Sequence, residues 1–263
     1  TEPVSKVRFH MALMALSRLF TAIRFLTVLP VVWRAEEDPD NFNKCLVFFP
    51  VVGVLIGVLG YIGAKLLLVV FPQQVAASFA IIYLAFISGA LHLDGLADSG
   101  DGLLSARPRS DSLRIMKDSR TGAMGVIVVV CILVTKFGSL IAMPPEIFCK
   151  ALFFMPLAGR CAILFSMSWL RYARSEGGLG GLFYSPGSRS AAVLAFALLA
   201  GLLAFIAPGL MVATLMGIFT VNLLFGRWCK NKLGGATGDT LGASCELTET
   251  ITAVCFTASL SFL

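Results

Sequence analysis

The segment HLDGLADSGDGL, residues 92–103, carries three aspartates at helical spacing. Asp94, Asp98 and Asp101 follow one another at intervals of four and three residues, so a helix that continues through the glycines places them on one face. Carboxylates this close repel each other. A hard divalent cation such as Mg²⁺ or Mn²⁺ offsets that repulsion and keeps positions open for water and phosphate oxygens. The spacing therefore predicts an oxygen-ligand metal site, with a solvated acidic helix end as the alternative.

Basic residues are concentrated in RPRSDSLRIMKDSRTGAMG, residues 107–125. Five cations precede two glycines at the expected start of a helix: Arg107, Arg109, Arg114, Lys117 and Arg120, then Gly122 and Gly125. Cationic donors beside exposed helix N–H groups are what a phosphate or pyrophosphate requires. Anchoring at a membrane surface explains some of them without a function, above all the first two. A second basic segment, residues 169–185, has Arg171 and Arg174 before a glycine-rich loop, although such a loop is also an ordinary hinge.

A second acidic face is expected in KLGGATGDTLGASCELTE, residues 232–249. Asp239 and Glu246 are seven residues apart and share one side of a helix, and the small residues between them let that helix pack closely. We predict that this face meets the first one, where it completes the metal site or activates an acceptor hydroxyl. Together with the basic segments, the two faces indicate metal-dependent attack of a hydroxyl on phosphorus, with a nucleotide as the leaving group.

The elements that position these residues are membrane helices. The chain has 263 residues, of which 57% are hydrophobic and only 14% charged, with a mean hydropathy of +0.87, which excludes a soluble globule. We predict an all-α, polytopic bundle forming a single domain over residues 1–263. An amphipathic helix at 11–30 is expected to lie in the membrane interface, with Ser17, Thr21 and Arg24 as its polar stripe. About seven transmembrane helices follow, near residues 46–71, 75–91, 123–143, 147–170, 191–207, 209–226 and 251–263.

The distribution of lysine and arginine orients the predicted bundle. All but four of the 21 basic residues lie in the amino-terminal segment or in the loop segments 92–122, 171–190 and 227–250. The positive-inside rule makes these segments cytoplasmic. The four exceptions lie within predicted spans: Lys65, Lys136, Lys150 and Arg160. We expect Arg160 to face the interior and pair with an acid or with the substrate pyrophosphate. The three lysines are expected to snorkel or to pack at helix ends, and His92 to be a packing or hydrogen-bonding residue.

Several long motifs in the same order resemble the cobalamin synthase family, the adenosylcobinamide-GDP ribazoletransferases. They are HLDGLADSGDGL, IMKDSRTGAMG, RYARSEGGLGG and GGATGDTLGASCELTE, preceded by FLTVLP and FFPVVGVLIG. The resemblance extends from about residue 20 to 250 and leaves residues 1–10 outside. It implies a multi-pass enzyme of the bacterial inner membrane with its active site facing the cytoplasm. That enzyme would transfer adenosylcobinamide phosphate from adenosylcobinamide-GDP to α-ribazole or α-ribazole 5′-phosphate, releasing GMP and using Mg²⁺. Nucleic acid is not an expected partner, and homo-oligomerisation stays open.

The resemblance and the spacing together give a set of predicted site residues. The family's acidic and KDSR motifs fall on Asp94, Asp98, Asp101, Lys117, Asp118, Ser119, Arg120, Asp239 and Glu246. The predicted catalytic residues are Asp94, Asp98, Asp239 and Glu246. The predicted metal ligands are Asp94, Asp98, Asp101 and Asp239. The predicted substrate and phosphate ligands are Arg107, Lys117, Asp118, Ser119, Arg120, Gly122, Arg160, Arg171 and Arg174.

Three other classes are weaker alternatives. The DGLAD element loosely resembles the aspartate motif of CDP-alcohol phosphatidyltransferases, but the DGxxAR continuation is absent. A secondary transporter would carry its coupling site near the membrane midplane, whereas most charges here lie in the predicted cytoplasmic segments. A scaffold protein would not require two regular acidic faces.

Overall fold

The computed structural model describes residues 4–31, 42–174, 181, 184 and 187–258, with the backbone alone for 4–10. Most of the predicted glycine loop at 175–186 therefore lies outside the described residues. These residues form ten α-helices and no named strand. The helices are α1 Val4–Leu26, α2 Phe49–Val70, α3 Gln73–Ile87, α4 Leu91–Leu104, α5 Arg109–Ile115, α6 Ala123–Ala142, α7 Pro145–Trp169, α8 Ser188–Ile206, α9 Pro208–Leu233 and α10 Gly238–Ala258.

Five helices are long and apolar enough to cross a membrane: α2 with the 3-10 turn before it (Leu46–Val70), α6, α7, α8 and α9. Helices α3 and α4 meet the same criterion only together, and they are bent by 86° relative to each other. The described part of the chain thus confirms the all-α membrane bundle but supplies five apolar spans, or six if the bent pair counts as one. About seven spans were predicted, and the last of them, at 251–263, extends past the described residues.

Helix α10 explains the difference in span count. An apolar span was predicted at 251–263, but the helix begins at Gly238 and continues to Ala258; residues 259–263 lie outside the described part. Its 21 residues would extend about 32 Å at 1.5 Å per residue. The helix is too polar to count as a lipid-facing span because it includes Asp239, Glu246 and Glu249. Instead it packs against α4, α6, α7 and α9, which shield these side chains from lipid.

The bundle centre is held together by close helix contacts at small residues. Helix α2 packs most extensively on α7, where Gly53 and Gly57 lie directly on the α7 backbone. On its other side α7 contacts α10, where Gly159 lies against Cys245 and Glu249. In these contacts a β-carbon in place of the glycine hydrogen would collide with the neighbouring helix. Helices α7 and α10 therefore form the buried axis of the molecule.

Helix α1 has different bounds and a different orientation of its polar stripe than predicted. It spans Val4–Leu26 rather than residues 11–30. Ser17 and Thr21 are only 9% and 2% exposed, whereas the apolar side chain of Met11 is 57% exposed. The Thr21 hydroxyl donates to the Ser17 carbonyl, so this polar group is satisfied within the helix while the stripe packs inward. The exposed side of α1 is therefore apolar rather than polar.

Helix α4 lies across the ends of other helices. Gly89 and Ala90 both adopt left-handed backbone angles, with φ of 60° and 57°, and this bend ends α3 and redirects the chain into α4. Gly95 on α4 then contacts the backbone of Asp239 at the start of α10, and Gly100 contacts Gly125 at the start of α6. Helix α4 is thus outside the five spans, with its aspartates beside the first turns of α6 and α10.

Candidate active site

The predicted carboxylate face lies on α4, which continues through its three glycines as expected. Asp94 is exposed, while Asp98 and Asp101 are half-buried. Burial raises the pKa of Asp98 to about 6, and the negative charges of Asp239, Asp94 and Asp101 add to the effect. These four carboxylates are therefore electrostatic neighbours, with Asp98 at their centre.

Asp101 caps the amino-terminal end of α6. Its carboxylate accepts hydrogen bonds from the backbone N–H groups of Gly122 at 2.6 Å and Gly125 at 2.8 Å. A β-carbon at Gly122 would lie 2.5 Å from an Asp101 oxygen, so the contact requires glycine. The negative charge is favourable at a helix amino terminus. The Gly122 N–H that was predicted to hold phosphate is thus bonded to Asp101, and metal ligation by Asp101 stays a prediction.

Asp239 is brought to α4 by the segment that precedes α10. Thr237 and Thr240 cap the helix reciprocally, each accepting the other's backbone N–H. A short parallel bridge joins Tyr172 to Ala236 and brings Arg174, two residues after Tyr172, to this helix start. There Arg174 Nη2 donates to the Asp239 carboxylate at 2.7 Å. Asp239 is therefore the residue of the second acidic face that lies beside the first face.

The carboxylates have the oxygen donors that a hard cation prefers, but they do not form a complete metal-binding site. Among the described residues, no three Asp, Glu, His or Cys side chains converge as a metal-holding group. Mg²⁺, however, commonly takes one or two carboxylates and completes its shell with water and substrate phosphate. Within the same residues, neither Asp94 nor Asp98 has a recorded hydrogen bond or ion pair, so their oxygens fit that partial role.

A basic pocket of about 400 Å³ lies next to the carboxylate face. Its cations are Arg109, Arg114, Lys117 and Arg174. Lys117 and Arg174 were among the predicted phosphate ligands, whereas the other two were not. Arg109 also braces the pocket wall, because it donates to the carbonyls of Leu233 and Ala173 at 2.6 Å each. Arg109 lies in the basic segment 107–125 that the sequence singled out, but its charge was attributed in part to membrane anchoring.

The other predicted phosphate ligands do not line the basic pocket. Arg120 donates to Asp118 through its backbone and its guanidinium, and these hydrogen bonds lower the pKa of the exposed Asp118 to about 2. Ser119 is exposed in the same loop. Arg171 donates to the Gly234 carbonyl at 2.9 Å, and Arg107 is exposed. Arg120 and Arg171 thus order the loop segments around the pocket, and a contact with substrate stays a prediction for every residue of this group.

A second cavity, the aromatic pocket, has a volume of about 280 Å³. Its apolar walls include Phe25, Phe49, Ile163, Met167, Tyr172 and Leu241, and its polar residues include Asp94, Arg174 and Asp239. Arg174 borders both the aromatic and the basic pocket. Sequence analysis missed this cavity because its walls come from distant segments of the chain.

Deeper in the bundle lies a buried ion cluster, formed by Lys136, Arg160, Glu246 and Glu249. Lys136 Nζ pairs with Glu246 at 2.6 Å and with Glu249 at 2.8 Å, and Arg160 Nη1 pairs with Glu249 at 2.7 Å. The prediction that Arg160 faces the interior and pairs with an acid is confirmed. The interpretation of Lys136 as a residue that snorkels or packs at a helix end is wrong, since it is 2% exposed and lies within α6 rather than at its end. Glu246 belongs to this cluster, away from the carboxylate face.

His92 is also buried, at 3% exposure, and its backbone contacts Gly242 of α10. This confirms its interpretation as a packing residue. It helps join α4 to α10 at the floor of the site.

Comparison with known proteins assigns the family. The cobalamin-5-phosphate synthase family model matches residues 18–257. Similar proteins named adenosylcobinamide-GDP ribazoletransferase occur in Thermoanaerobacter sp. strain X514 (35% identity, covering 92% of this chain and 97% of the relative) and Clostridium acetobutylicum (34%, 89% and 92%). A protein of the same name in Citrobacter koseri is 37% identical over 90% of this chain and 98% of its own. No solved structure matches. This chain belongs to the cobalamin-5-phosphate synthase family.

Proposed function

We propose that this protein transfers adenosylcobinamide phosphate from adenosylcobinamide-GDP to the riboside α-ribazole or to its 5′-phosphate, with release of GMP. Family membership supports the two substrates. The observation that carries the proposal for this site is the Arg174–Asp239 pair, which joins a basic pocket to a carboxylate face. A pyrophosphate needs the first feature, and an attacking hydroxyl needs the second.

The proposed reaction balances as a single displacement at phosphorus. The hydroxyl oxygen of the riboside attacks the phosphorus bound to the cobinamide oxygen and forms the new P–O bond. The P–O bond to the other phosphate breaks, and GMP leaves with its electron pair. Asp94 or Asp98 takes the hydroxyl proton, because Asp101 accepts two N–H groups and Asp239 is paired with Arg174. Lys117 and Arg174 hold the pyrophosphate and stabilise the charge on the leaving GMP.

We further propose that Asp94 and Asp98 are protein ligands for Mg²⁺, with Asp239 and Asp101 close enough to adjust on binding. When bound, the cation would neutralise charge on the phosphate oxygens. The support is the oxygen-only donor set and the raised pKa of Asp98, which reflects burial of the carboxylate first and crowding of like charges second.

The function is tested directly with purified protein in detergent. Adenosylcobinamide-GDP, α-ribazole or its 5′-phosphate, and Mg²⁺ should yield GMP and a cobalamin product in equal amounts, and omission of the riboside should abolish GMP release. A CDP-alcohol phosphotransferase would instead release CMP from a CDP-alcohol. A transporter is disfavoured because the intramembrane charges Lys136, Arg160, Glu246 and Glu249 pair with one another.

We also propose that this site faces the cytoplasm of a bacterial inner membrane. The amino-terminal segment and the segments 92–122, 171–190 and 227–250 hold all but four of the 21 basic residues, as the positive-inside rule expects for the cytoplasmic side. In a cysteine-free background, Ser105→Cys should react with a membrane-impermeant maleimide only after the cytoplasmic side is opened. Gln74→Cys, in the first turn of α3, should react in intact spheroplasts. Labelling of the Ser105 site from the periplasmic side would reject this orientation.

A further inference from the structure

The aromatic pocket has no role in the chemistry described so far. We propose that it binds the heteroaromatic base of the riboside acceptor, so that its walls determine which base the enzyme accepts. This inference rests on the proposed function, because it assigns one of the two substrates to a particular cavity.

The shape of the cavity favours a flat two-ring base. Its volume of about 280 Å³ is near the lower end of the roughly 300–1,000 Å³ typical of small-molecule pockets. The corrin macrocycle of the other substrate is far larger and carries amide groups around its edge. The base of ribazole, dimethylbenzimidazole, is planar, compact and mostly hydrocarbon, which matches the space and its lining.

Apart from the buried His92, the inner walls are apolar, which argues against the guanine of the nucleotide. Phe49, Ile163, Met167 and Leu241 are between 1% and 6% exposed and form the enclosed part of the cavity. Guanine would bring its ring N–H, its amino group and its carbonyl into this region, where a polar group buried without a partner is destabilising. Dimethylbenzimidazole in its riboside has one free ring nitrogen and two methyl groups, so its burial is favourable.

An aromatic pair provides a surface for stacking. The rings of Phe25 on α1 and Phe49 on α2 are stacked, with centroids 6.2 Å apart and planes 21° from parallel. Both rings line the pocket. Stacking of a base on an aromatic side chain stabilises its binding. The amino-terminal helix α1 would therefore be part of the acceptor site rather than only a membrane attachment.

Three charged residues of the pocket lie at its outer side and set the direction of the ribose, whereas the polar side chain of His92 is buried in the wall. Asp94 is exposed, and the side chains of Arg174 and Asp239 are 16% and 22% exposed, against a few per cent for the apolar wall. A base held against the inner wall thus directs its ribose hydroxyls toward the carboxylate face. Since Arg174 also borders the basic pocket, the hydroxyl and the pyrophosphate would meet at this residue.

The test is a substitution in the wall of the aromatic pocket, with KM measured separately for each substrate. Ile163→Phe fills part of the pocket, and Ile141→Phe makes the same change on α6, where the side chain is 37% exposed and outside the pocket. In the GMP-release assay we expect Ile163→Phe to raise KM for α-ribazole about tenfold or more, while KM for adenosylcobinamide-GDP changes less than about twofold. In this variant, KM for the riboside of unsubstituted benzimidazole, which lacks the methyl groups, should rise less. Ile141→Phe should match the wild type.

A basic-pocket variant and an inhibitor complete the design. Lys117→Met should show the opposite split, with KM raised for adenosylcobinamide-GDP and unchanged for α-ribazole. With the wild-type enzyme, free dimethylbenzimidazole should compete with α-ribazole and not with adenosylcobinamide-GDP, and this measurement decides the matter if Ile163→Phe does not fold.

Two results would overturn the inference while leaving the function intact. One is GMP release by Ile163→Phe with an unchanged KM for α-ribazole. The other is inhibition by the free base that is competitive with adenosylcobinamide-GDP, which would show that the nucleotide substrate occupies the pocket. Absence of GMP release from the folded wild type with every acceptor would instead reject the proposed function itself, and this assignment with it.

Discussion

Asp98→Asn should lower the rate of GMP release by about a hundredfold to a thousandfold, the usual cost of removing one group that stabilises transition-state charge. Asp98 is the carboxylate whose pKa responds to the charges of Asp239, Asp94 and Asp101 together. Asparagine keeps the size of the side chain and removes its charge, so folding should be preserved. The measurement is kcat as a function of Mg²⁺ concentration, and the Mg²⁺ concentration for half-maximal activity should rise.

Glu146→Gln is the matched control for this prediction. Glu146 is exposed in the first turn of α7, at the end of the bundle away from the carboxylate face, and loses the same charge on substitution. Its activity and Mg²⁺ requirement should equal those of the wild type. Wild-type turnover by Asp98→Asn with the same Mg²⁺ requirement would show that the α4 carboxylates are not the metal site.

The α4 face could be predicted from sequence because its signal is local. Three aspartates at helical intervals define a face whatever surrounds the helix, and the structure keeps α4 helical through all three glycines. The start of α10 was partly predictable for the same reason. The sequence does not indicate which acid of α10 reaches α4. The position of Asp239 depends on the bridge between Tyr172 and Ala236, which is a contact between segments more than sixty residues apart.

Hydropathy placed an apolar span at 251–263, whereas the structure has helix α10 at Gly238–Ala258, and the difference has a physical reason. It measures the cost of exposing a helix to lipid, but α10 is surrounded by protein and satisfies its charges with Lys136 and Arg160. The same argument that gave Arg160 a partner applied equally to Lys136, and Glu246 and Glu249, three residues apart in α10, were available as partners. The aromatic pocket had no sequence signal, because its walls come from α1, α2, α4, α7 and α10.

Removal of one charge from the buried ion cluster should strongly destabilise the protein. We expect Lys136→Met to reduce the free energy of unfolding by about 3–5 kcal/mol, the usual cost of leaving a buried charge without its partner. Lys136 contacts Glu246 and Glu249, and the side chains of all three are at most 5% exposed, so water cannot replace the lost ammonium group. The measurement is thermal unfolding of purified protein in detergent. Lys150→Met, a half-buried lysine on α7 outside the cluster, is the control and should change stability little.

A double variant separates a charge effect from a packing effect. Lys136→Met with Glu246→Gln removes one positive and one negative charge and leaves the Arg160–Glu249 pair, which remains neutral overall. If the loss in Lys136→Met comes from uncompensated charge, the double variant should recover more than half of it. The two changes should then be strongly non-additive. If the double variant is destabilised by the sum of the single changes, the four charges do not act as a unit. In that case Lys136 stabilises the bundle through the packing of its aliphatic chain.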